Sequence, residues 1–235
     1  MISDIHSHIL PGIDDGSSSL QESLALLRLE AEQGIRRVAA TPHFYPQRDT
    51  PEDFLKRRAR AETLLREELQ KEAHLPEISI GAEVYFFTGI SQSAILEQLT
   101  IGSGRYLLLE MPMAPWSDAM YREMEGIYTN QGITPIIAHV DRYISPFRTH
   151  GISERLAQLP VLVQANASFF LKRSTRSMAI RMLRTGKIHV LGSDCHNLAY
   201  RRPNLGEAVQ VIQNRLGAEV LDQIRQYEED ILTVR

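Results

Sequence analysis

The chain has 235 residues, 43% of them hydrophobic, and a formal net charge of -3 at pH 7. This length and apolar fraction suffice for one large domain, and the slight acidity argues against a nucleic-acid or membrane-surface binder, which usually carries a basic excess. The single cysteine, Cys195, excludes an intramolecular disulfide and favours a reducing compartment. Met1 leads directly into the first apolar run, and no run has membrane-spanning length. We therefore expect a cytoplasmic protein without signal peptide or membrane insertion.

Short apolar runs that each end in a polar residue indicate buried parallel strands. Seven such runs occur, at 4–8, 38–43, 78–83, 107–110, 136–139, 161–166 and 190–194. Helical patterns alternate with them, which is typical of repeated βα units. The predicted helices cover about 20–34, 50–73, 91–99, 117–130, 153–159, 175–185 and 205–231.

The fold class follows from this alternation. No linker, repeat or low-complexity tract divides the chain, so we predict a single domain over residues 1–235. Seven βα units without an eighth strand predict an α/β fold, a distorted seven-stranded (β/α)7 barrel similar to a TIM barrel. An open doubly wound sheet is the alternative. We prefer the barrel because polar residues end strands along the whole chain, and a closed ring brings all those ends together.

The strand ends are rich in residues that bind metal ions. His6 and His8 lie two apart on a strand and therefore face the same side, and Asp194 and His196 repeat this spacing. Burying many ionisable groups without a cation costs too much free energy. The candidate metal ligands are His6, His8, Asp14, His43, Glu83, Glu110, His139, Asp194 and His196.

Charge counting suggests how many ions these ligands would hold. Three divalent ions, four carboxylates and a bridging hydroxide leave a net charge of about +1, a field suited to a phosphate ester. Imidazole and carboxylate donors without thiolate suit manganese, iron or zinc. A lone histidine is more often a hydrogen-bonded structural residue than a metal ligand, so His74, His150 and His189 are predicted to be structural.

One string of residues resembles a known family. The run from His6 to Gly16, His-Ser-His-Ile-Leu-Pro-Gly-Ile-Asp-Asp-Gly, is similar to the opening of the polymerase and histidinol phosphatase (PHP) superfamily. The resemblance extends over nearly the whole chain, through Thr41-Pro42-His43, Gly81-Ala82-Glu83-Val84, His139 and Ser193-Asp194-Cys195-His196-Asn197. The opening string looks most like the branch of bacterial manganese-dependent protein-tyrosine phosphatases, which act in capsular and exopolysaccharide biosynthesis.

The resemblance implies a distorted seven-stranded barrel with three divalent metal ions, manganese being the expected metal and iron or zinc the alternatives. The implied ligand sets are His6, His8, Glu83 and Asp194 for one ion, Glu83, Glu110 and His139 for the second, and Asp14, His43 and His196 for the third. Asp15 competes with Asp14 for the last set, and we assign Asp15 to the turn with Gly16.

The implied activity is that of a phosphoric monoester hydrolase, specifically a protein-tyrosine phosphatase in which a metal-bridging hydroxide attacks phosphorus. Arg142 and Arg201 resemble the family's phosphate-binding arginines, and the guanidinium fork suits two phosphate oxygens. The implied partner is the phosphotyrosine-bearing tail of a bacterial tyrosine autokinase that controls capsular or exopolysaccharide synthesis. The alternative is a phosphatase of a small phosphate monoester such as histidinol phosphate.

Cys195 and Arg201 offer a rival mechanism, because their spacing matches the cysteine-x5-arginine loop of thiol-dependent tyrosine phosphatases. That loop needs a cradle of backbone amides, usually helped by glycine, and a thiolate nucleophile. The residues between Cys195 and Arg201 include no glycine. If Asp194 and His196 face the metals from extended backbone, Cys195 points away from them. We therefore prefer the metal-dependent mechanism.

Overall fold

The structure, a computed structural model, describes residues 2–102, 105–144 and 151–233. His150, predicted to be structural, lies outside these residues. The described part contains nine strand segments, most of them three to five residues long. They are β1 (Asp4–Ser7), β2 (Arg37–Ala40), β3 (His43–Phe44), β4 (Glu77–Ile80), β5 (Glu83–Tyr85), β6 (Tyr106–Glu110), β7 (Thr134–Ile137), β8 (Leu162–Asn166) and β9 (Val190–Gly192).

The strands form two hydrogen-bonded sheets, in the orders β1-β2-β4 and β3-β5-β6-β7-β8-β9, and every neighbouring pair is parallel. The chain just beyond β9 also meets β1. Ser7 forms a parallel bridge with Cys195, and the Asp194 amide donates to the carbonyl oxygen of His6 over 2.8 Å. The α/β class and a curled, parallel sheet are thus confirmed.

The apolar core has two parts, one on each side of the sheet. The larger part lies between the strands and the helices. The smaller part gathers residues from five strands and from the C-terminal helix, among them Ile5, Ala39, Leu108, Ile136, Val190, Ile231 and Leu232. Residues of five strands can form one cluster because the sheet curls around them. This small core fills the inside of the curl.

Six helices of the described residues begin within one residue of their predicted starts, whereas α3 begins five residues later than predicted, and α6 and α9 begin where no helix start was predicted. They are α1 (Leu20–Glu32), α2 (Pro51–Leu69), α3 (Leu96–Leu99), α4 (Asp118–Gln131), α5 (Ile152–Leu156), α6 (Ala167–Leu171), α7 (Arg176–Arg184), α8 (Leu205–Leu216) and α9 (Glu219–Leu232). Thr50 caps α2, because its hydroxyl accepts from the Asp53 amide over 3.2 Å, and Pro51 follows at the first helical position. None of these helices is long and apolar enough to cross a membrane.

Several predicted elements differ from the observed ones. The helix predicted over 205–231 is two helices, because Gly217 adopts a φ of 85° and interrupts it. The strands predicted over 38–43 and 78–83 are each split into two segments. Pro42 interrupts the first because it has no N–H to donate. The short helix α6 was not predicted.

Candidate metal centre

Eight of the nine predicted metal ligands meet where the parallel strands end. His6 lies in β1, Glu83 begins β5 and Glu110 ends β6, whereas His139 and Asp194 follow β7 and β9 directly. The carboxyl ends of parallel strands lie at one edge of a sheet, so these side chains converge. All eight side chains are buried or nearly buried.

The first group of donor atoms surrounds one point between β1 and β9. The Nε2 atoms of His6 and His8 are 3.1 Å apart, and each lies within 3.2 Å of Glu83 Oε2. Asp194 Oδ1 is 3.4 Å from His6 Nε2 and 3.6 Å from His8 Nε2. Ligand atoms at right angles around a metal with bonds of about 2.1 Å are about 3.0 Å apart. The group has the spacing of ligands around one cation.

A second group shares Glu83 with the first. Glu83 Oε1 is 2.8 Å from His139 Nε2, which is 3.5 Å from Glu110 Oε1. The other Glu83 oxygen, Oε2, is 3.1 Å from His43 Nδ1. The two oxygens of Glu83 therefore face different sets of imidazole nitrogens, so Glu83 could contribute one oxygen to each of two cations.

The third group of converging donor atoms contains Asp15, whereas the predicted ligand Asp14 is engaged elsewhere. Asp15 Oδ1 lies 3.5 Å from His43 Nε2 and 3.6 Å from His196 Nε2. Both Asp14 oxygens are already engaged: Oδ2 accepts from His8 Nδ1 over 2.8 Å and from the His43 amide over 2.9 Å, and Oδ1 accepts from the Gly16 amide over 2.9 Å. Asp14 therefore orients the His8 ring through its Nδ1 atom, while His8 Nε2 faces the other donor atoms of the centre.

Gly16 explains why the loop turns this way. A Cβ at this position would lie 2.3 Å from the carbonyl oxygen of His8, a distance that no side chain tolerates. The glycine thus allows the loop to pass close behind His8 and brings the Asp14 carboxylate to its ring. Asp15, the next residue, is left facing the mouth of the centre, where its side chain is 68% exposed.

The charged groups of the centre shift one another's pKa. Burial disfavours the charged form of His8, but hydrogen bonds to Asp14 and Glu83 outweigh it and raise the pKa of His8 to about 10. Glu110 and Glu83 overcome burial in the same way and raise the pKa of His139 to about 9. Burial also opposes ionisation of Glu83, yet the neighbouring histidines hold its pKa well below the usual range. The carboxylates of the centre therefore strongly favour positive charge on the groups beside them.

Four buried side-chain atoms in the residues of the centre have no hydrogen-bond partner among the described residues. One is His139 Nδ1, and the three that face other donor atoms of the centre are Glu83 Oε2, His43 Nδ1 and His196 Nε2. Buried polar atoms without a partner are rare and cost free energy. A cation that the last three atoms coordinate would remove that cost. The donor set, imidazole and carboxylate without thiolate, is also one that divalent transition metals prefer. The residues present therefore fit divalent metal ions.

Strand β8 supplies supporting residues that the sequence analysis missed. Gln164 Oε1 accepts from the His139 amide over 2.5 Å and lies 3.3 Å from His6 Nδ1. Asn166 Nδ2 donates to Asp194 Oδ2 over 2.9 Å. His139 and Asp194 both adopt positive φ, 33° and 54°, and such strained backbone needs support from its surroundings. In the sequence, the polar residues at the end of the run 161–166 could have indicated these supporting residues.

Arg142 and Arg201 stand at the mouth of the centre and hold Asp194 between them. Nη2 of Arg142 is 2.5 Å from Asp194 Oδ2, and Nη2 of Arg201 is 2.6 Å from Asp194 Oδ1. Each side chain is about a third exposed. Every guanidinium has five N–H donors, so both retain donors for an anion that enters the mouth. The neighbouring Arg202 instead pairs with the exposed Glu207.

Cys195 is fully buried in the larger core and does not face the mouth. Burial, together with the nearby carboxyls of Glu30 and Asp4, raises the pKa of its thiol well above the usual range. A nucleophilic cysteine needs a lowered pKa and access to substrate. Cys195 has neither, which agrees with the preference for metal chemistry.

Comparisons with known proteins identify the chain's relatives. The model of the family described as "Capsular polysaccharide synthesis, CpsB/CapC" matches residues 2–232. The chain is 32% identical over 235 residues to the tyrosine-protein phosphatase CpsB of Streptococcus pneumoniae, covering 92% of this chain and 91% of the relative. It is 28% identical over 225 residues to the tyrosine-protein phosphatase YwqE of Bacillus subtilis (strain 168), covering 92% and 86%.

The fold is also that of a solved relative. A crystal structure from work on YwqE of Bacillus subtilis and CpsB of Streptococcus pneumoniae, described as unique metal-dependent tyrosine phosphatases, superimposes with a TM-score of 0.84 and 24% identity. The match covers 100% of this chain and 96% of that one. The chain belongs to the CpsB/CapC family of capsular polysaccharide synthesis.

Proposed function

We propose that this chain is a metal-dependent protein-tyrosine phosphatase that acts in capsular or exopolysaccharide synthesis. The observation that carries the proposal is the set of three adjoining ligand groups with Arg142 and Arg201 at their mouth. Its relatives in two genera are named tyrosine-protein phosphatases. A metal centre beside two guanidinium groups suits a phosphate monoester, because the cations and the arginines bind the same dianion.

The centre would hold three divalent ions, with manganese as the proposed metal. The proposed ligand sets are His6, His8, Glu83 and Asp194 for one ion, Glu83, Glu110 and His139 for the second, and Asp15, His43 and His196 for the third. Four carboxylates balance most of the charge of three divalent ions and leave an electropositive mouth. Nitrogen and oxygen donors suit manganese, and they suit iron and zinc as well.

Divalent ions in this centre would polarise the phosphoryl oxygens and lower the pKa of bound water. The chain's own residues would position the substrate. The guanidinium groups of Arg142 and Arg201 contact the two different oxygens of Asp194, so their remaining N–H donors would be available to two phosphate oxygens. Charge-assisted hydrogen bonds of this kind tighten as charge develops in the transition state.

The proposed partner is the phosphotyrosine-bearing tail of a bacterial tyrosine autokinase, which would meet the enzyme in the cytoplasm. The family's part in capsular polysaccharide synthesis supports this partner. The single cysteine supports a reducing compartment.

We also propose that the nine strand segments are seven strands of one distorted barrel, in a single domain over residues 1–235. Two pairs of segments would each be one interrupted strand, β2 with β3 and β4 with β5. The amides of Gly81 and Glu83 support this, because they continue the ladder across the gap by donating to Ala40 and Pro42. The Ser7–Cys195 bridge supports closure between the first and last strands.

Two variants test the proposed chemistry. Glu83→Ala should lose bound metal and phosphotyrosine phosphatase activity together, because its oxygens face two ligand groups. Cys195→Ser should keep most of the activity, because the thiol is buried and its pKa is raised. A Cys195→Ser protein that is folded and metal-loaded but inactive would contradict the proposal.

A further inference from the structure

An apolar cavity of about 310 Å³ lies beside the metal centre. Its walls come from the loops that follow β6 and β7 and from the first residue of α5. The candidate ligands Glu110 and His139 lie at the start of these two loops, because Glu110 ends β6 and His139 follows β7. The apolar lining residues are Met113, Ala114, Pro115, Trp116, Tyr143 and Ile152. Arg142 is the one charged residue among the lining residues that the structure describes. The cavity is therefore a hydrophobic site with a cation at one end.

Arg142 connects the cavity to the centre. One guanidinium nitrogen contacts Asp194 over 2.5 Å, and another lies 3.7 Å from Glu110 Oε1. The same side chain forms part of the cavity wall. A group that binds to Arg142 at the mouth of the centre is therefore next to the cavity.

The cavity wall is held in place before any ligand arrives. The Trp116 ring packs against Tyr143 with ring centroids 5.0 Å apart, and its indole N–H donates to the carbonyl oxygen of Pro112 over 3.1 Å. Tyr143 also contacts the ring of His139, at 5.5 Å between centroids. A continuous row of rings thus runs from the metal centre to the far wall. A preformed apolar wall binds a flat ring at a small entropic cost.

We propose that this cavity receives the phenyl ring of the substrate's phosphotyrosine while the phosphate occupies the metal centre. This inference rests on the proposed function. Apolar cavities of about 150 Å³ take up benzene, so there is room for a phenyl ring and part of a neighbouring residue. Aromatic pairs add attraction beyond buried area, and Trp116 and Tyr143 present their rings here. The cavity would make the enzyme select aryl over alkyl phosphate esters.

Two matched variants test the location of the ring. Ala114 is exposed and lines the cavity, so Ala114→Trp should fill the cavity without disturbing the core. Ala199 is also an exposed alanine, lies two residues before Arg201 and is not among the lining residues of the cavity. Ala199→Trp adds the same bulk outside the cavity. The metal-loaded proteins are compared by kcat/KM on a phosphotyrosine peptide and on phenyl phosphate, and by inhibition with inorganic phosphate.

The ring site predicts a selective loss. Ala114→Trp should lower kcat/KM about 10- to 100-fold for both aryl substrates, the factor expected for losing the burial of one ring. Its inhibition constant for inorganic phosphate, which has no ring, should stay within about two-fold. Ala199→Trp should change neither quantity. Met113→Asp, which places a charge at an exposed position of the rim, should reproduce the loss.

Each contrary result has a distinct meaning. Unchanged aryl kinetics in both cavity variants would overturn the ring site, and so would an equal loss in Ala199→Trp. A parallel loss of phosphate inhibition in Ala114→Trp would show damage to the metal centre and would also overturn it. A wild-type protein that does not hydrolyse the phosphotyrosine peptide would instead contradict the proposed function itself.

Discussion

One carboxylate oxygen organises the candidate centre. Glu83 Oε2 has three imidazole nitrogens within 3.2 Å, from His6, His8 and His43, and no hydrogen-bond partner among the described residues. The lone pairs of this oxygen and of the three nitrogens point towards one another, and a single proton could form a hydrogen bond between only two of these atoms. A cation satisfies all of them at once, so the donor geometry is more informative about metal binding than the number of histidines.

Asp15 and Asp14 should differ in their effect on metal binding. Asp15→Ala removes a proposed ligand, so metal content should fall by about one ion per chain. Asp14→Asn keeps an oxygen that accepts from His8 Nδ1, so it should retain nearly full occupancy. Elemental analysis of the purified variants measures both. Full occupancy in Asp15→Ala together with loss in Asp14→Asn would restore the original assignment.

The sequence could predict the donor residues but not the choice between these neighbours. Strand ends, spacing and family resemblance identify eight of the residues that meet in the centre. Asp14 and Asp15 are adjacent and chemically identical, and the choice depends on how closely the loop passes behind His8. That close approach, which Gly16 allows, is a three-dimensional property.

Removing either mouth arginine should lower activity without removing metal. Arg142→Ala and Arg201→Ala should lose about thirty-fold to a thousand-fold in kcat/KM on a phosphotyrosine peptide, because each removes a charge-assisted contact to phosphate. Lysine should rescue only part of the loss, because it lacks the planar fork. The control is Arg202→Ala, since Arg202 pairs with the exposed Glu207. Unchanged kinetics in both arginine variants would remove them from the site.

Among the elements, strand β8 has a role different from that of its neighbours. Its end supplies none of the proposed ligands, yet Gln164 holds the His139 amide and approaches the His6 ring, and Asn166 binds Asp194. Supporting residues of this kind fix the orientation of metal-binding rings. Strand β8 therefore positions ligands that other strands supply.

Gln164→Ala should weaken metal binding while the fold persists. Loss of a supporting hydrogen bond typically costs about 10- to 100-fold in metal affinity or activity. Titration of the chelated protein with manganese, followed by calorimetry, gives the affinity directly. Gln213→Ala on the exposed face of α8 is the matched control. Equal affinities for the two variants would show that Gln164 does not position the ligands.

At this scale the sequence predicted most elements but not their interruptions. Helix α2 begins at Pro51, one residue from its predicted start, and its cap Thr50 and first-turn Pro51 are local features that a sequence can show. The division between α8 and α9 at Gly217 and the five-residue α6 were missed. The apolar period continues on both sides of Gly217 and hides the break that its positive φ makes. A helix of about one turn, such as α6, has too few residues to show a period.

At the scale of the whole molecule, the C-terminal helix α9 packs against the first strand and the residue that precedes it. Glu228 of α9 is fully buried, and its Oε2 accepts from the Ser3 amide over 2.7 Å. Burial raises the pKa of Glu228 from its ordinary 4.5 to about 8. Below about pH 4.5 the folded and unfolded states both bind the proton. As the pH rises towards 8, only the unfolded state releases it, so Glu228 progressively lowers the stability of the fold.

Glu228→Gln should therefore be more stabilising at high pH than at low pH. The amide oxygen still accepts from Ser3 but the side chain cannot ionise. Relative to the wild type, the free energy of unfolding of the variant should increase by up to about 4 kcal/mol between pH 5 and pH 8. Urea unfolding of both proteins at the two pH values measures the change. A difference that is the same at both pH values would show that Glu228 ionises normally.

The most direct test of the account is the hydrolysis of three substrates by chelated enzyme to which metals are added back. The substrates are a phosphotyrosine peptide, a phosphoserine peptide and histidinol phosphate. We predict that the chelated enzyme is inactive on all three, that manganese restores activity, and that kcat/KM is highest for the phosphotyrosine peptide. Activity that survives complete chelation, or a higher kcat/KM for histidinol phosphate, would contradict a metal-dependent tyrosine phosphatase.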